Sequence, residues 1–221
     1  MNSIRKNALV AGIFYLLTFV SIPTLTLYLS VRGPDYILGP GPDTPAIVGV
    51  LLEMIVALAG IGTAVALYPV VKRQGHVRAM GFVATRILEA ATIYVGMISL
   101  MSIVTLRRAG LGASALAVGH GLAAQYYWSF FIAQSFIPAL NALLLGSLLY
   151  QSRLVPRALP VVGFIGAGLL VASWFATLFG LLGPVTPASA LLAAPIALWE
   201  FALGIYLVFW GFKASATTAG T

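Results

Sequence analysis

The chain has 221 residues, 61% of them hydrophobic and only 8% charged, with a mean hydropathy of +1.03, which excludes an ordinary soluble domain and predicts a polytopic membrane protein. The formal charge of +7 and the isoelectric point near 10 would suit nucleic acid, but the basic residues are scattered at the ends of apolar stretches as orienting charges are, so no nucleic-acid partner is expected. The absence of cysteine excludes disulfides, thiolate nucleophiles and cysteine-held metals.

A spanning helix needs ~20 apolar residues. Six such stretches, about 8–31, 45–71, 79–106, 122–150, 159–182 and 187–212, use up the chain. The expected fold is therefore all-α, a single transmembrane domain over residues 1–221 with six helices and no extramembrane module.

The first stretch follows Arg5-Lys6 and runs to about Val31 without a small-residue cleavage site, too long for a signal peptide. Its Ser21-Ile22-Pro23 predicts a kink, because proline removes a backbone hydrogen bond. The loop 32–43, dense in glycine and proline, cannot be regular; it reads as a solvated connection, with a lid as the alternative. Thr44 is expected to cap the second helix, with Pro45 at its first position. In that helix Glu53 shares a stripe with Ala46, Gly49, Ala57, Gly60 and Ala64. Small residues at that spacing let helices approach closely, so Glu53 is expected to point inward.

The third helix carries Arg86 and Glu89 on one face with Thr85, Thr92 and Gly96, while Ala84, Ile87, Ala91 and Ile98 make an apolar opposite stripe. In the fourth, Tyr127, Gln134, Pro138 and Asn141 fall on one helical face, which would gather amide and carbonyl groups there, either as a site or as interhelical hydrogen-bond glue. The fifth reads as scaffold, with Gly163, Gly166 and Gly168 for close packing and Trp174 in its outer half. The sixth follows Gly183-Pro184-Val185-Thr186-Pro187, is interrupted by Pro195, and holds Glu200 on a stripe with Ala193, Ala197, Gly204 and Gly211.

Orientation follows from the basic residues. Arg5, Lys6, Lys72, Arg73, Arg78, Arg153, Arg157 and Lys213 fall on the side of the termini, and Arg32, Arg107 and Arg108 on the other. Eight against three predicts both termini in the cytoplasm of a multi-pass protein of the cell (inner) membrane.

Counted along the helices, Glu89 lies roughly 15 Å from one surface and Glu200 roughly 20 Å from the other, so both are near the middle of a ~30 Å core. The expected site is Arg86, Glu89, Glu200 and Gln134, with Glu53 toward the outer mouth and Asn141, Tyr127 and Trp174 contributing. Arg86 is expected to pair with Glu89 or Glu200, because an unpaired charge at this depth costs a few kcal/mol. One arginine cannot neutralise three acids, so one glutamate is neutral or faces water or a cation. Ser173 and Ala197 are expected to matter little.

Three readings stay open. The site binds a lipophilic or cationic small molecule; or Glu89, Glu200 and Arg86 perform acid–base catalysis on a lipid or isoprenoid-like substrate; or a glutamate carries the proton of an exporter. A purely structural clamp between helices competes with all three. The two histidines, His76 and His120, fall on opposite sides, and no metal or cofactor motif is found. Membrane lipids are the other expected partners.

Gly12-Ile13-Phe14-Tyr15-Leu16-Leu17, Arg86-Ile87-Leu88-Glu89-Ala90, Leu149-Tyr150-Gln151-Ser152-Arg153-Leu154-Val155-Pro156-Arg157, and Pro195-Ile196-Ala197-Leu198-Trp199-Glu200 with Gly211-Phe212-Lys213 come in an order that resembles a large family of bacterial six-helix membrane proteins, the domain of unknown function numbered four-three-eight-six. The resemblance covers nearly the whole chain. It implies that Arg86, Glu89 and Glu200 occupy family positions, and it implies no activity.

Overall fold

The first proline-marked break lies where the sequence puts it. In the computed structural model, which describes residues 2–33, 35–183 and 186–213, helix α1 (Ser3–Leu17) gives way to a 3-10 turn at Thr18–Ser21 and a short helix α2 (Thr24–Leu27). Pro23 has no N–H to donate, and the hydroxyls of Thr18, Ser21 and Thr24 donate to the carbonyls of Tyr15, Thr18 and Ser21. A broken helix is tolerable in a bilayer when side chains satisfy its backbone in this way.

The remaining helices are α3 (Thr44–Val71), α4 (His76–Arg108), α5 (Leu116–Phe131), α6 (Ile137–Ser152), α7 (Ala158–Leu178) and α8 (Pro187–Phe209). With α1–α2 and α5–α6 each counted as one span, six helices are long and apolar enough to cross a membrane. The fourth span starts at Gly112, ahead of the expected residue 122, through a 3-10 turn at Gly112–Ala115. At α3 the residue flanking the helix is Asp43, not Thr44, and Asp43 makes no side-chain cap because its carboxylate is engaged elsewhere. At α8 the Thr186 hydroxyl accepts from the Ser189 N–H at 3.1 Å and the Ser189 hydroxyl accepts from the Thr186 N–H at 2.8 Å, a reciprocal cap. Pro34, Pro184 and Val185 lie outside the described residues.

The spans close a ring: α1 packs on α3, α3 on α4, α4 on both α5 and α6, α6 on α7, α7 on α8, and α8 back on α1. Association in lipid rests on close packing rather than on the hydrophobic effect, and glycines supply the closest approaches. A Cβ on Gly12 would sit 2.7 Å from the Gly204 carbonyl oxygen, and one on Gly166 2.6 Å from the Ile196 backbone nitrogen. These contacts join α1 to α8 and α7 to α8. Toward the end where both termini emerge, the ring is filled by Tyr15, Leu67, Phe82, Leu145, Leu148, Leu149, Trp199, Leu203 and Leu207, all essentially inaccessible. On α4 the stripe Ala84, Ile87, Ala91 and Ile98 is exposed at the outside of the ring, whereas Arg86 and Glu89 are buried.

The loop between α2 and α3 is docked. Tyr36 donates to the Asp43 carboxylate, Arg107 pairs with the same oxygen, and the Arg108 Nε donates to the other at 2.7 Å. Ile37 fills the space a side chain at Gly119 would need, so Gly119 has a packing role. Burial pushes the Asp43 carboxyl up, but its bonds to Tyr36, Arg107 and Arg108 outweigh that and hold it well below the usual carboxylate range. Burial and the bond it donates push the Tyr36 phenol up to about 12. A carboxyl depressed on folding contributes stability that is fully present above its unfolded pKa of ~3.9 and is lost as pH falls through its lower folded value. Limited proteolysis should therefore leave this loop intact from neutral pH down to the ordinary carboxylate range and cut it only in stronger acid. Asp43→Asn should expose it at neutral pH, and cleavage of wild type and variant at the same rate would show that the docking does not hold it.

Candidate functional site

Arg86 and Glu89 stand one turn apart on the inward face of α4, which is why their side chains meet. The Arg86 Nη1 donates to Glu89 Oε2 at 2.9 Å, and Nη2 reaches across the ring to Glu200 Oε1 of α8 at 2.6 Å. Asn141 of α6 donates its amide to Glu89 Oε2 at 2.7 Å, and its carbonyl accepts the Thr85 hydroxyl at 2.5 Å. One guanidinium thus ties α4 to α8, and one amide ties α4 to α6. The Arg86 guanidinium carbon also lies 5.3 Å from the Tyr15 ring centroid and 5.7 Å from that of Phe82, so aromatic faces support the cation from the filled end of the ring. The Phe82 contact follows from its place one turn before Arg86 on α4; the Tyr15 contact comes from a different helix, α1, and is not legible in the sequence spacing.

Beyond this network, away from the termini, the ring is open. A cavity of about 320 Å³ is lined by Thr18 and Ser21 after α1, Ala57 and Gly60 of α3, Arg86, Glu89 and Ala90 of α4, Phe130 and Phe131 of α5, Gln134 and Pro138, Leu170 and Ser173 of α7, and Ala193, Ala197 and Glu200 of α8. Its size is at the lower end of small-molecule sites. The space exists because its walls carry alanines and Gly60; a Cβ on Gly60 would meet nothing within 4 Å. At the other end of the cavity Ile22, Leu25 and Ala190 are exposed, so the rim is formed by the broken end of the first span and the start of the last.

Arg86 and Glu89 are buried, with Arg86 2% accessible, while the Glu200 side chain keeps 18% of its surface against 3% for that of Arg86. Glu200 is therefore the ionisable group most presented to the cavity. The network holds one guanidinium and two carboxylates, so with both acids ionised it carries one negative charge in excess. An apolar-walled cavity with that excess at its floor is electrostatically complementary to a cation.

Among the other residues the sequence singles out, Gln134 lines the cavity and Asn141 joins the network. Tyr127, Trp174 and Glu53 do not line it. Tyr127 is displaced because a π turn at Ile132–Phe136, closed by the Ile137 N–H on the Ile132 carbonyl, inserts an extra residue before Pro138. That rotates the following helix by ~100° relative to α-helical spacing, so Tyr127 and Asn141 no longer share a face. Trp174 packs against Phe136 in a tilted pair, with ring centroids 5.0 Å apart, while its neighbour Ser173 lines the cavity. Glu53 is buried one turn beyond Ala57, close to Tyr28 and Tyr126; its Oε2 and the Tyr28 hydroxyl make no hydrogen bond among the described residues. Ser173 and Ala197, expected to be peripheral, are part of the wall. No described residue of the loop 32–43 is part of the lining.

Residues 10–211 match the family model described as "Domain of unknown function (DUF4386)". The chain belongs to that family. The match takes in every residue of the DUF4386 network, from Tyr15 to Glu200, together with the whole cavity lining. No curated protein and no solved structure matches this DUF4386 chain.

Proposed function

We propose that this membrane protein binds a small amphiphilic cation, an amine carrying an apolar group, in the cavity above Arg86, Glu89 and Glu200. The observation that carries this reading is the charge count at the cavity floor: one guanidinium faces two carboxylates, and Glu200 is the one presented to the space. Burying a net charge in a bilayer is costly unless a counter-charge joins it, and an ammonium group on Glu200 supplies that charge. The apolar wall of Phe130, Phe131, Leu170 and Ile196 would take the rest of the ligand. The test is an equilibrium titration of the detergent-solubilised protein with a phenylalkylamine and with the alcohol of the same shape. The amine binds and the alcohol does not; equal binding of both removes the electrostatic basis of the reading.

The same reading places the protein in the cell membrane with both termini in the cytoplasm, supported by the excess of basic residues on the terminal side. The chain lacks cysteine, so single introduced cysteines report sidedness cleanly. A cysteine at Ser152 should react only with reagent on the cytoplasmic side and one at Gly39 only from outside. Labelling of Gly39→Cys from the cytoplasm would reverse the orientation.

A further inference from the structure

The end of the molecule where both termini emerge carries no acidic side chain. Of the five acids in the sequence, Asp35 and Asp43 belong to the loop at the opposite end, and Glu53, Glu89 and Glu200 lie within the helices. Two basic residues at the terminal end tie one helix to another. Arg5 donates to the carbonyls of Leu207, Val208 and Phe209, closing the C-terminal end of α8, and Arg78 donates to Ser147 and Gln151. Others are exposed with no carboxylate partner among the described residues, and three of these lie on two chain segments that the backbone ties together. Lys213 donates its N–H to the Leu154 carbonyl at 2.8 Å, which fastens the chain after α8 to the turn between α6 and α7. That turn begins at Arg153, in the left-handed region at φ 55°, and ends at Arg157, whose Nε donates to the Tyr150 carbonyl at 3.4 Å and whose guanidinium carbon lies 4.8 Å from the Tyr150 ring centroid, leaving its two terminal nitrogens for a ligand. Leu154 and Val155 between them are buried, so the arginines are held outward on a fixed turn. Exposed Trp210, three residues before Lys213, is stacked on Tyr206 with ring centroids 5.6 Å apart, and aromatic residues of this kind favour the level of lipid headgroups.

We infer that Arg153, Arg157 and Lys213 form a binding site for the phosphate of an anionic phospholipid in the adjoining leaflet. Three cations with no acid to pair them among the described residues suit a phosphate, which Arg can hold through two parallel hydrogen bonds. Anchored turns reduce the ordering that binding requires, and Trp210 provides the apolar step from headgroup to acyl chain. The turn between α3 and α4 also exposes Lys72 and Arg73, but those two follow one another on a single turn.

The test is native mass spectrometry of the purified protein equilibrated with equal amounts of phosphatidylglycerol and phosphatidylcholine. The wild type retains the anionic lipid several-fold over the zwitterionic one. Arg153→Asn/Arg157→Gln/Lys213→Gln, in which asparagine tolerates the left-handed backbone, brings that ratio to near unity, and Lys72→Gln/Arg73→Gln leaves it unchanged. Equal losses in the two variants would mean that the face acts only as a diffuse field and would overturn the site. Loss of the bound lipid to millimolar inorganic phosphate would assign the site to the free anion and overturn the lipid assignment.

Discussion

Arg86→Met is expected to lower folded stability by about 3–5 kcal/mol, the range for removing one partner of a buried ion pair. Two carboxylates, on α4 and α8, would be left facing each other with only the Asn141 amide as donor. The loss is one of uncompensated charge rather than of packing, so it should be recovered when the acids are neutralised as well. Arg86→Met/Glu89→Gln/Glu200→Gln should return most of the stability, because a neutral network often costs no more than the charged one it replaces. Reversible unfolding in mixed micelles measures both variants. A triple variant as unstable as the single one would mean that Arg86 matters for its contacts with Tyr15 and Phe82 and not for its charge.

The second large effect separates the cavity from the bundle. Gly60→Leu adds a side chain whose Cβ has nothing within 4 Å and whose remaining atoms enter the cavity. The fold should be retained, and helix propensity alone favours the change by up to ~0.8 kcal/mol. Ligand affinity should fall at least tenfold, or about 1.4 kcal/mol, because the space the ligand needs is occupied. The same substitution at Gly166 should do the reverse, since a Cβ there lies 2.6 Å from the Ile196 nitrogen and must push α7 from α8. Thermal unfolding alongside ligand titration reads both. A Gly60→Leu protein that binds as well as the wild type would place the ligand elsewhere.

Much of this arrangement is legible in the sequence because charge is rare in a bilayer. Arg86, Glu89 and Glu200 stand out by their type alone, helical spacing puts the first two on one face, and depth along the helices brings Glu200 to their level. The stripe of small residues on α3 likewise marks Glu53 as inward-facing. The rest was not legible, for specific physical reasons. The π turn at Ile132–Phe136 breaks the 3.6-residue period on which the grouping of Tyr127 with Gln134 and Asn141 depends. Glu53 points inward as its stripe requires, but periodicity gives a face and not a neighbour, and its neighbours are Tyr28 and Tyr126 rather than the cavity. The cavity itself is made by what Ala57, Gly60, Ala193 and Ala197 lack, and small residues read equally well as close-packing positions. Gly163 and Gly166 are such positions, and Gly60 is not.

The most direct test of the central claim is to titrate a phenylalkylamine into wild-type protein and into Glu200→Gln, with the matching alcohol as control. Glu200→Gln keeps the shape of the side chain and leaves Arg86 paired with Glu89, so the bundle should remain folded while the excess negative charge disappears. The account predicts that the wild type binds the amine and not the alcohol, and that Glu200→Gln loses at least tenfold in amine affinity, about 1.4 kcal/mol. A folded Glu200→Gln protein that binds the amine as tightly as the wild type would contradict it.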